Sequence, residues 1–426
     1  MRVIVATSVG KLDNGQELIL FPSRWDSAVN GRRPFAYYPY ELAYLSSLLK
    51  RETDHSVRMI DGNLALWDAD QYAAHLIALN PDVLVTECSA LTYPAMTRCA
   101  RLVEAATGCS LWLTGPLGTH DARRALLDGW DCVFGGEYEA KVLHALQGTE
   151  PPAGYIDLDW LPWPEDTDIA RIDYFEISNP VAGLIQVYPT RGCPLACTFC
   201  VVPTYYGGHG KSHRSHRQRD PNLVCDELEH LAAKYGDRFG GAFFNEEAHN
   251  ANPEWLARFA QALIDRGLNR YVYDAMCGVW TLTPEIVDLM ARAGYKQIRF
   301  GVESTSELVG REIRKTLHLD RIESAMRWLR DAGIAAYVTL QVGAPGSTEA
   351  IDRATLADLA RWRSERMVTR YQVSTSTPLP GTPFHKQATE MGWLITNDLS
   401  RYDGERAVVS YPNYTADRIE AVRRSA

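Results

Sequence analysis

Three cysteines stand close together near the middle of the chain, in the stretch RGCPLACTFC that ends at Cys200. Their spacing, C-x3-C-x2-C, brings Cys193, Cys197 and Cys200 within reach of one another. Thiolates are soft ligands that suit iron–sulfur clusters, and three of them can bind three irons of a [4Fe–4S] cluster. The fourth iron would then have no protein ligand, which leaves it open to a substrate or a cofactor.

A structural zinc site is the alternative for these thiols. Zinc takes four tetrahedral ligands, and a histidine shortly after the cysteines could be the fourth. The candidates are His209, His213 and His216. The cysteine spacing does not match a familiar zinc motif, so we favour the cluster and leave zinc open.

The bulk properties are those of an ordinary globular protein. The chain has 426 residues, which favours two or three domains, and 46% of them are hydrophobic. A net charge of −9 gives no indication of a nucleic-acid-binding surface. The nine cysteines show no disulfide pattern, and no apolar run approaches a signal peptide or a membrane span. We therefore expect a cytoplasmic protein without a membrane or nucleic-acid partner.

Residues 1–150 alternate between short apolar runs and helical patterns, which predicts a doubly wound α/β domain with a parallel sheet. In such a sheet, ligands bind beyond the carboxyl ends of the strands. The predicted strands are Val3–Ala6, Val57–Ile60, Asp82–Thr86, Leu111–Thr114 and Asp131–Phe134. The predicted helices are Tyr40–Leu49, Tyr72–Leu79, Pro94–Ala106 and Ala122–Leu127. No G-x-G-x-x-G follows the first strand, so a dinucleotide fingerprint is absent.

The alternation resumes at residue 184, after a linker over 151–183 that is rich in Pro and Trp where it begins. Six strands with crossover helices are predicted over 184–376, and a short C-terminal segment follows over 377–426. The predicted strands are Leu184–Pro189, Gly241–Phe244, Tyr271–Met276, Gln297–Val302, Ala335–Val342 and Arg370–Thr375. The predicted helices are Asn222–Lys234, Glu254–Asp265, Pro284–Arg292, Arg321–Asp331 and Ala350–Arg363. The first strand delivers the cysteines, and polar residues follow several of the others.

The cysteine triplet with Phe199, the later GVES at 301–304 and PLPGT at 378–382 together resemble the radical S-adenosylmethionine (SAM) superfamily. This resemblance implies a partial (β/α)6 barrel whose cluster binds SAM at its open iron. It implies that Phe199 contacts SAM and that Glu303 and Ser304 hold its ribose and methionine. It also implies that Val342, Gly343, Gln372 and Ser374 lie against the adenine.

The first domain resembles the flavodoxin-like or Rossmann-like cobalamin-binding domain that precedes many members of this superfamily. The segments DGN, TGP and GGEYE look like its strand-end loops. The resemblance implies that cobalamin is bound by Asp61, Gly62, Asn63, Ser89, Ala90, Leu91, Thr92, Gly115, Pro116, Leu117, Gly135, Gly136 and Glu137. The D-x-H-x-x-G motif is missing, so we expect cobalamin without a His ligand to cobalt.

The resemblance implies a cobalamin-dependent radical SAM enzyme. Its most probable reaction is methylation of an unactivated carbon, through a 5′-deoxyadenosyl radical and methylcobalamin. Cyclisation, rearrangement or oxidation remains the enzymatic alternative, and a cobalamin- or redox-responsive binding protein is the non-enzymatic one. A small or peptide-derived substrate and a flavodoxin- or ferredoxin-type reductant are the expected partners. We expect Tyr37, Tyr38, Asn245, Glu246 and Glu247 to line the substrate space.

Overall fold

The computed structural model describes residues 1–22, 24–207, 215–315 and 318–426. It divides into two compact units. The first unit contains Met1–Ile177 with Thr204–Gly207, and the second contains Ser178–Pro203 with the described residues from 215 onward. Residues 151–177, predicted to be part of a linker, thus cluster with the first unit. No helix in the described ranges is long and apolar enough to cross a membrane.

The first unit contains a five-stranded parallel sheet surrounded by helices, as the alternating pattern predicts. Its strands are β1 (Arg2–Ala6), β5 (Ser56–Ile60), β6 (Val83–Glu87), β7 (Ser110–Thr114) and β8 (Cys132–Val133). Its helices are α1 (Tyr40–Glu52), α2 (Ala69–Leu79), α3 (Tyr93–Thr107), α4 (Gly115–His120), α5 (Ala122–Leu127) and α6 (Glu139–Gln147). The last strand is two residues shorter than predicted.

The strand order of this sheet is β5-β1-β6-β7-β8, and every pairing is parallel. This is the flavodoxin-like 2-1-3-4-5 order, in which the connections change direction between β1 and β6. Chains of this topology bind ligands in the crevice at that point, beyond the carboxyl ends of the strands. The crevice lies next to the residues that follow β1 and β6.

A long connection between β1 and α1 forms small antiparallel pairs that the alternating pattern did not predict. The strands β2 (Leu18–Ile19) and β3 (Ser27–Ala28) pair with each other. The strand β4 (Phe35–Ala36) pairs with β9 (Phe175–Glu176), with Phe35 opposite Glu176 and Ala36 opposite Phe175. This pairing joins the start of the unit to its end.

The second unit contains the predicted six-stranded parallel sheet, with order β10-β13-β14-β15-β16-β17. These strands are β10 (Leu184–Val187), β13 (Gly241–Phe244), β14 (Val272–Met276), β15 (Tyr295–Glu303), β16 (Ala335–Val342) and β17 (Arg370–Thr375). The short strands β11 (Thr190–Arg191) and β12 (Arg217–Gln218) pair beside it. The helices that begin after residue 200 are α7 (Val202–Tyr205), α8 (Pro221–Tyr235), α9 (Pro253–Asp265), α10 (Pro284–Arg292), α11 (Glu307–Glu312), α12 (Leu319–Asp331), α13 (Glu349–Ser364), α14 (Pro383–Glu390) and α15 (Ala416–Arg424).

Helix starts in this unit follow from local sequence. Several helices begin with a side chain that caps a free backbone N–H, and most of these have Pro in the first turn, where its missing N–H costs nothing. The capping residues are Asp220, Asn252, Thr283, Thr348 and Thr382. These signals explain why the predicted starts fall within three residues of the observed ones.

The two faces of the six-stranded sheet differ in chemistry. On the outer face, Phe244 packs against Phe259 of α9, with ring centroids 5.4 Å apart. Side chains alternate along a strand, so Phe243 lies on the opposite face, which we call the inner face. There the guanidinium of Arg299 lies 4.3 Å from the Phe243 ring centroid. The inner face is therefore polar, whereas the outer face is apolar and covered by helices.

The amino ends of the strands are closed on the inner face by a buried ion pair. Gln297 donates to the Asp274 carboxylate over 2.8 Å, and Arg299 Nε donates to the same carboxylate over 2.9 Å. The chain crosses this end at Ser178 and Asn179, and Arg299 donates to both of their side chains over 2.9 and 2.8 Å. The opposite end, where the strands finish, carries the cysteines.

Candidate functional site

The cysteine loop is anchored at its start by a glycine with a left-handed backbone. Gly192 has φ +85°, and a Cβ added there would lie 2.6 Å from the carbonyl oxygen of Ser215. Only glycine avoids both the strain and the contact. The Gly192 N–H donates to Glu247 Oε2 over 3.2 Å. The chain thus turns sharply just before Cys193.

Two backbone hydrogen bonds fix the other half of the loop. The Thr198 N–H donates to the carbonyl of Ile313 over 3.0 Å, and the Thr198 carbonyl accepts from the N–H of Phe384 over 2.9 Å. Phe384 lies directly after the PLPGTP segment, so this segment helps to hold the cysteine loop. The loop position is therefore set by residues more than 100 positions away along the chain.

Phe199 is half-buried and packs against an apolar cluster of Val309, Ile313 and Ala344. This contact anchors the loop by burying an aromatic ring. The described contacts of Phe199 are thus with the protein's own side chains, and its predicted contact with SAM stays a prediction.

Burial, with a smaller contribution from the nearby Cys200, raises the pKa of the Cys193 and Cys197 thiols to about 12. The cation of Lys315 acts in the opposite direction on both thiols. Thiols in this environment hold their protons until a metal replaces them, so cluster assembly must release protons.

The three thiols do not converge on one point. In the part of the chain that the structure describes, no group of three or more His, Cys, Asp or Glu side chains is arranged to hold a single metal ion. A cubane cluster does not require convergence, because each thiolate bonds a different iron. Of the histidines considered for zinc, His209 and His213 lie outside the described residues.

Lys315 forms a buried ion pair with Glu303 at the carboxyl end of β15. Its Nζ lies 2.7 Å from Glu303 Oε1, and Gln341 Nε2 donates to Glu303 Oε2 over 2.9 Å. A Cβ on Gly301 would lie 2.1 Å from Glu303 Oε1 and 2.7 Å from Lys315 Nζ. The glycine of GVES therefore leaves the space that the ion pair occupies.

The other residues predicted to contact SAM differ in their surroundings. The Ser304 hydroxyl lies 3.2 Å from the Thr355 hydroxyl of α13, and it also accepts from the Ser306 N–H. Val342 is buried, and the side chain of Ile419 lies 2.8 Å from where a Cβ of Gly343 would be. α15 therefore covers Gly343.

Gln372 and Ser374 lie on the last strand, β17, which pairs on one side only within the sheet. Gln372 is exposed, and the half-buried Ser374 hydroxyl lies 3.5 Å from the Leu340 carbonyl. They share a strand face with each other, since side chains two residues apart point the same way. Their predicted contact with adenine stays a prediction.

The three polar residues after β13 point in different directions. Asn245 donates to Gln186 Oε1 over 3.3 Å and to the Tyr188 hydroxyl over 3.5 Å. Glu246 Oε1 instead lies 2.6 Å from His249 Nδ1. Glu247 accepts a hydrogen bond from the Gly192 N–H at the start of the cysteine loop. Only Asn245 continues the inner face of the sheet.

The Glu246–His249 pair belongs to the outer apolar layer. His249 is fully buried, its ring stacks on Phe244 at 4.6 Å, and its Nε2 lies 2.7 Å from the Tyr295 hydroxyl. Burial raises the pKa of Glu246, while His249 opposes the shift. These contacts hold the loop after β13 against the outer face of the sheet, so Glu246 is unsuited to contact a substrate on the inner face.

In the first unit, the protein's own atoms occupy the space beside several strand-end glycines. A Cβ on Gly62 would lie 2.4 Å from the Tyr72 ring. Gly115 has φ +82°, and its Cβ would lie 2.2 Å from Glu87 Cγ. For Gly135 the nearest atom is the Gly118 carbonyl oxygen, at 3.0 Å. These positions thus need glycine for internal packing, and that need does not depend on a bound ligand.

Several residues predicted to bind cobalamin take part in the internal hydrogen bonding of the strand-end turns. Asp61 accepts from the Thr7 hydroxyl and the Leu64 N–H, each over 2.8 Å. Asn63 accepts from the buried Arg33 over 2.9 Å. Glu137 accepts from the Ile156 N–H over 3.0 Å.

The turn after β6 and the one after β7 complete this edge. Ser89, Ala90, Leu91 and Thr92 lead from β6 into α3, with the Ser89 N–H donating to the Thr92 hydroxyl over 3.2 Å. Gly115, Pro116 and Leu117 form the first turn of α4 rather than a loop. The Gly136 N–H donates to the Thr119 hydroxyl over 2.9 Å.

The crevice between β1 and β6 retains a hydrogen-bonding group without a partner. The hydroxyl of Ser8, which follows β1, is buried and has no partner among the described residues. Asp26 from the long connection lies near the far side, where it accepts from the Thr92 hydroxyl over 2.9 Å. A polar ligand group could satisfy Ser8, so this edge is suited to hold part of a ligand.

The two tyrosines predicted to contact substrate have different environments. Tyr38 is fully buried, its hydroxyl donates to the Glu165 carbonyl, and the Arg171 guanidinium lies 5.2 Å from its ring centroid. These contacts give it a structural role, and its predicted contact with substrate stays a prediction. Tyr37 is half-buried and stacks on Phe35 at 4.6 Å, so part of its ring stays accessible.

Comparison with known families agrees with the cysteine loop and its surroundings. Residues 187–359 match the model of the radical SAM superfamily, and this range contains the three cysteines, Glu303 and Lys315. The chain therefore contains a radical SAM domain. Superfamily members are enzymes that use a [4Fe–4S] cluster and SAM.

Curated relatives of this radical SAM enzyme cover most of its length. It is 23% identical over 418 residues to an uncharacterized methyltransferase of Pyrococcus horikoshii, which spans 91% of this chain and 86% of the relative. It is 25% identical over 404 residues to hopanoid C-3 methylase of Methylococcus capsulatus, which spans 87% and 72%.

A solved structure shares the fold of both units. The radical SAM methyltransferase TsrM of Kitasatospora setae, solved with tryptophan and a SAM analogue, superposes with a TM-score of 0.68 at 17% identity. The alignment covers 92% of this chain and 77% of TsrM. A second TsrM structure contains cobalamin and a [4Fe–4S] cluster. At this identity the likeness establishes the fold alone.

The chemistry of the described residues fits the cluster and SAM. Cys193, Cys197 and Cys200 supply soft ligands on one loop. The Glu303 carboxylate is close enough for its charge to contribute to the raised pKa of the Cys197 thiol. Lys315, which pairs with Glu303 and acts on the cysteine thiols, is a residue that sequence reasoning missed. It stands in the run GREIRKT with three other charged side chains before it, so nothing in the sequence distinguishes it. Only the folded chain brings it to Glu303.

Proposed function

We propose that this radical SAM enzyme is a cobalamin-dependent C-methyltransferase that acts on an unactivated carbon of a small or peptide-derived metabolite. The observation that carries the proposal is the combination of two units in one chain. A cysteine loop and a buried Glu303–Lys315 pair lie at the strand ends of the second unit. The first unit, which precedes them in the chain, has a flavodoxin-like sheet and a buried Ser8 hydroxyl without a hydrogen-bond partner among the described residues.

In this proposal the second unit binds the cluster and SAM. Together these groups supply the one-electron chemistry that makes a carbon-centred radical on the substrate. Cys193, Cys197 and Cys200 hold the cluster and leave one iron for SAM. Glu303 accepts hydrogen bonds from the ribose hydroxyls, and Gln341 holds its second oxygen in place. Lys315 sets the direction of the carboxylate and adds a positive charge near the thiolates.

The first unit would hold cobalamin, which supplies the methyl group. The residues around the crevice between β1 and β6 are suited to enclose its polar periphery, and Ser8 is available as a donor. No D-x-H-x-x-G motif is present, so cobalt should have no imidazole ligand from this chain. The names of both curated relatives, which include methyl transfer, support this reading, as does the cobalamin in TsrM.

The proposal includes an external electron donor. A reduced cluster is required for SAM cleavage, and a flavodoxin or ferredoxin in the cytoplasm is the kind of partner that would supply the electron. The substrate itself is not identified by any residue described so far. Its search can begin with small metabolites and modified peptides from the host cell.

The experiment uses SAM with a deuterated methyl group and a host metabolite extract, under anaerobic conditions with a chemical reductant. We expect a product that carries the labelled methyl, together with one 5′-deoxyadenosine and one S-adenosylhomocysteine for each turnover. If 5′-deoxyadenosine forms and no product is labelled, methylation is rejected in favour of cyclisation, rearrangement or oxidation. If no 5′-deoxyadenosine forms, the radical function itself is rejected.

A further inference from the structure

The amide of Asn245 is held in one orientation on the inner face of the six-stranded sheet. Its Nδ2 donates to Gln186 Oε1 over 3.3 Å and to the Tyr188 hydroxyl over 3.5 Å. Tyr188 also donates to Gln186 Oε1 over 3.2 Å, and this amide oxygen has no hydrogen, so it can only accept from Asn245. A flipped amide would place two acceptor oxygens against each other, so the nitrogen must point toward Gln186.

The nitrogen of this amide therefore donates within the protein, whereas its oxygen accepts from no described residue. Asn245 is 95% buried, since only 5% of its surface is exposed. Among the described residues, none donates a hydrogen bond to Asn245 Oδ1, and this oxygen is not sealed off from solvent. A nearly buried acceptor with a fixed direction and no described donor is an arrangement that can recognise a donor on a ligand.

The position of Asn245 places this acceptor where a substrate would react. It directly follows β13, and its N–H donates to the Val187 carbonyl over 3.4 Å, so it lies at the carboxyl end of the sheet. β10, which contains Val187, leads into the cysteine loop six residues later. The acceptor and the cysteines thus share one end of the second unit.

Three of the carboxylates described nearby have side-chain partners, and a fourth, Glu247, accepts from the Gly192 N–H. Glu246 is turned to His249 on the outer face, Glu303 is paired with Lys315, and Asp274 is paired with Arg299. A cationic substrate would find no unpaired carboxylate among these side chains. The neutral amide oxygen instead suits a neutral donor, such as a carboxamide N–H, a ring N–H or a hydroxyl.

We propose that Asn245 is a specificity-determining residue whose amide oxygen accepts a hydrogen bond from a neutral N–H or O–H group of the substrate. Gln186 and Tyr188 are the positioning residues that fix its direction. This inference rests on the proposed function, because it takes the inner face to be the place of reaction. It narrows the substrate to molecules with a neutral donor close to the carbon that reacts.

The test measures recognition separately from catalysis. Benzamide and N,N-dimethylbenzamide differ in the N–H donor, and their binding to the cluster-loaded protein can be followed by saturation-transfer nuclear magnetic resonance. A hydrogen bond of ordinary strength corresponds to about a fivefold preference for benzamide in the wild type. In Asn245→Leu the preference should fall to about one, because the acceptor is gone.

Two further variants complete the design. Thr339→Val removes a neutral hydroxyl from the same sheet face, and the preference should persist. Gln186→Leu keeps Asn245 but frees its amide to rotate, so the preference should fall to about half or less of its wild-type value. This variant also tests the proposal if Asn245→Leu does not fold.

The affinity for SAM, measured by calorimetry on the same proteins, distinguishes substrate from cofactor. We expect the dissociation constant of SAM to change by less than about twofold in Asn245→Leu. The inference is overturned by a tenfold weakening of SAM binding, by equal or absent binding of the two probes to the wild type, or by an unchanged preference in Asn245→Leu. The labelled-methyl experiment decides the proposed function independently, because none of these measurements needs turnover.

Discussion

At the scale of single residues, Lys315 is a buried cation whose charge acts on two of the cysteine thiols. It is buried beside Glu303, and its positive charge opposes the raised pKa of Cys193 and Cys197. A cation in a medium of low dielectric stabilises added negative charge nearby. Reduction adds one electron to the cluster, so Lys315 should make that reduction easier.

We predict that Lys315→Met lowers the midpoint potential of the cluster by on the order of 50 mV, because a nearby positive charge is lost. The potential is measured by a redox titration followed with electron paramagnetic resonance. Lys315→Arg keeps the charge and serves as the control, with a potential close to that of the wild type. Equal potentials in the wild type and Lys315→Met would show that the lysine acts only through packing.

A second residue-scale feature is the carboxyl group of Asp26 in the first unit. Burial raises its pKa to about 6, and the hydrogen bond from the Thr92 hydroxyl offsets only part of that shift. The folded pKa lies above the ordinary value of 3.8. Its contribution to stability is therefore complete below about pH 4 and is lost as the pH rises through about 6.

We predict that Asp26→Asn removes this loss. Between about pH 4.5 and 7.5, the free energy of unfolding of the wild type should fall by about 1–3 kcal/mol relative to that of the variant. Denaturant titrations across this range measure the difference. Asp13→Asn changes an exposed carboxylate in the same connection, paired with Arg98, and should leave the pH dependence unaltered. Parallel curves for the wild type and Asp26→Asn would refute the assignment.

At the scale of elements, the cysteine loop is positioned by parts of the chain that are distant in sequence. Within this loop, the Thr198 N–H donates to the carbonyl of Ile313, and the Thr198 carbonyl accepts from the N–H of Phe384. Phe199 adds an apolar anchor against Val309 and Ala344. A loop held this way changes little when the cluster binds, which keeps the geometry of the open iron constant.

We predict that Phe199→Ala loosens this loop and accelerates the loss of iron to a chelator several-fold. Removing a partly buried aromatic ring costs about 1–3 kcal/mol of local packing. Phe199→Leu preserves most of the apolar contact and should lose iron at nearly the wild-type rate. Iron release is followed by the visible absorbance of the cluster under anaerobic conditions. An unchanged rate in Phe199→Ala would mean that the backbone bonds alone secure the loop.

At the scale of the whole molecule, the chain contains two units, each with its own parallel sheet and buried core. The cysteines belong to the second unit, whereas the residues proposed to bind cobalamin belong to the first. A sheet with its own core keeps its fold when a distant loop is altered. Cluster and cobalamin binding should therefore be separable by mutation.

We predict that replacing Cys193, Cys197 and Cys200 together with Ala abolishes iron binding but preserves binding of hydroxocobalamin. Iron is determined by chemical analysis, and cobalamin by its absorbance after gel filtration. Ala substitution of the buried Cys99 and Cys225, one in each unit, is the control for thiol loss and should retain both cofactors. Retention of about four irons by the triple variant would exclude the cluster assignment.

The sequence by itself determined the order and type of most regular elements, and it singled out the three cysteines as candidate cluster ligands. Hydrophobic periodicity and helix-capping residues are local signals, so α9 and α10 were predicted within a residue of their observed bounds. The cysteine spacing is equally local. Its meaning depends on three residues within eight positions, and no distant contact is needed to read it.

The tertiary structure decided which polar residues face the proposed reaction space. Asn245 and Glu246 are neighbours in sequence, but strand alternation and the partner His249 send them to opposite faces of the sheet. Lys315 reaches Glu303 only because α11 returns the chain to the end of β15. Such placements depend on contacts between elements, and a sequence carries no local signal of them.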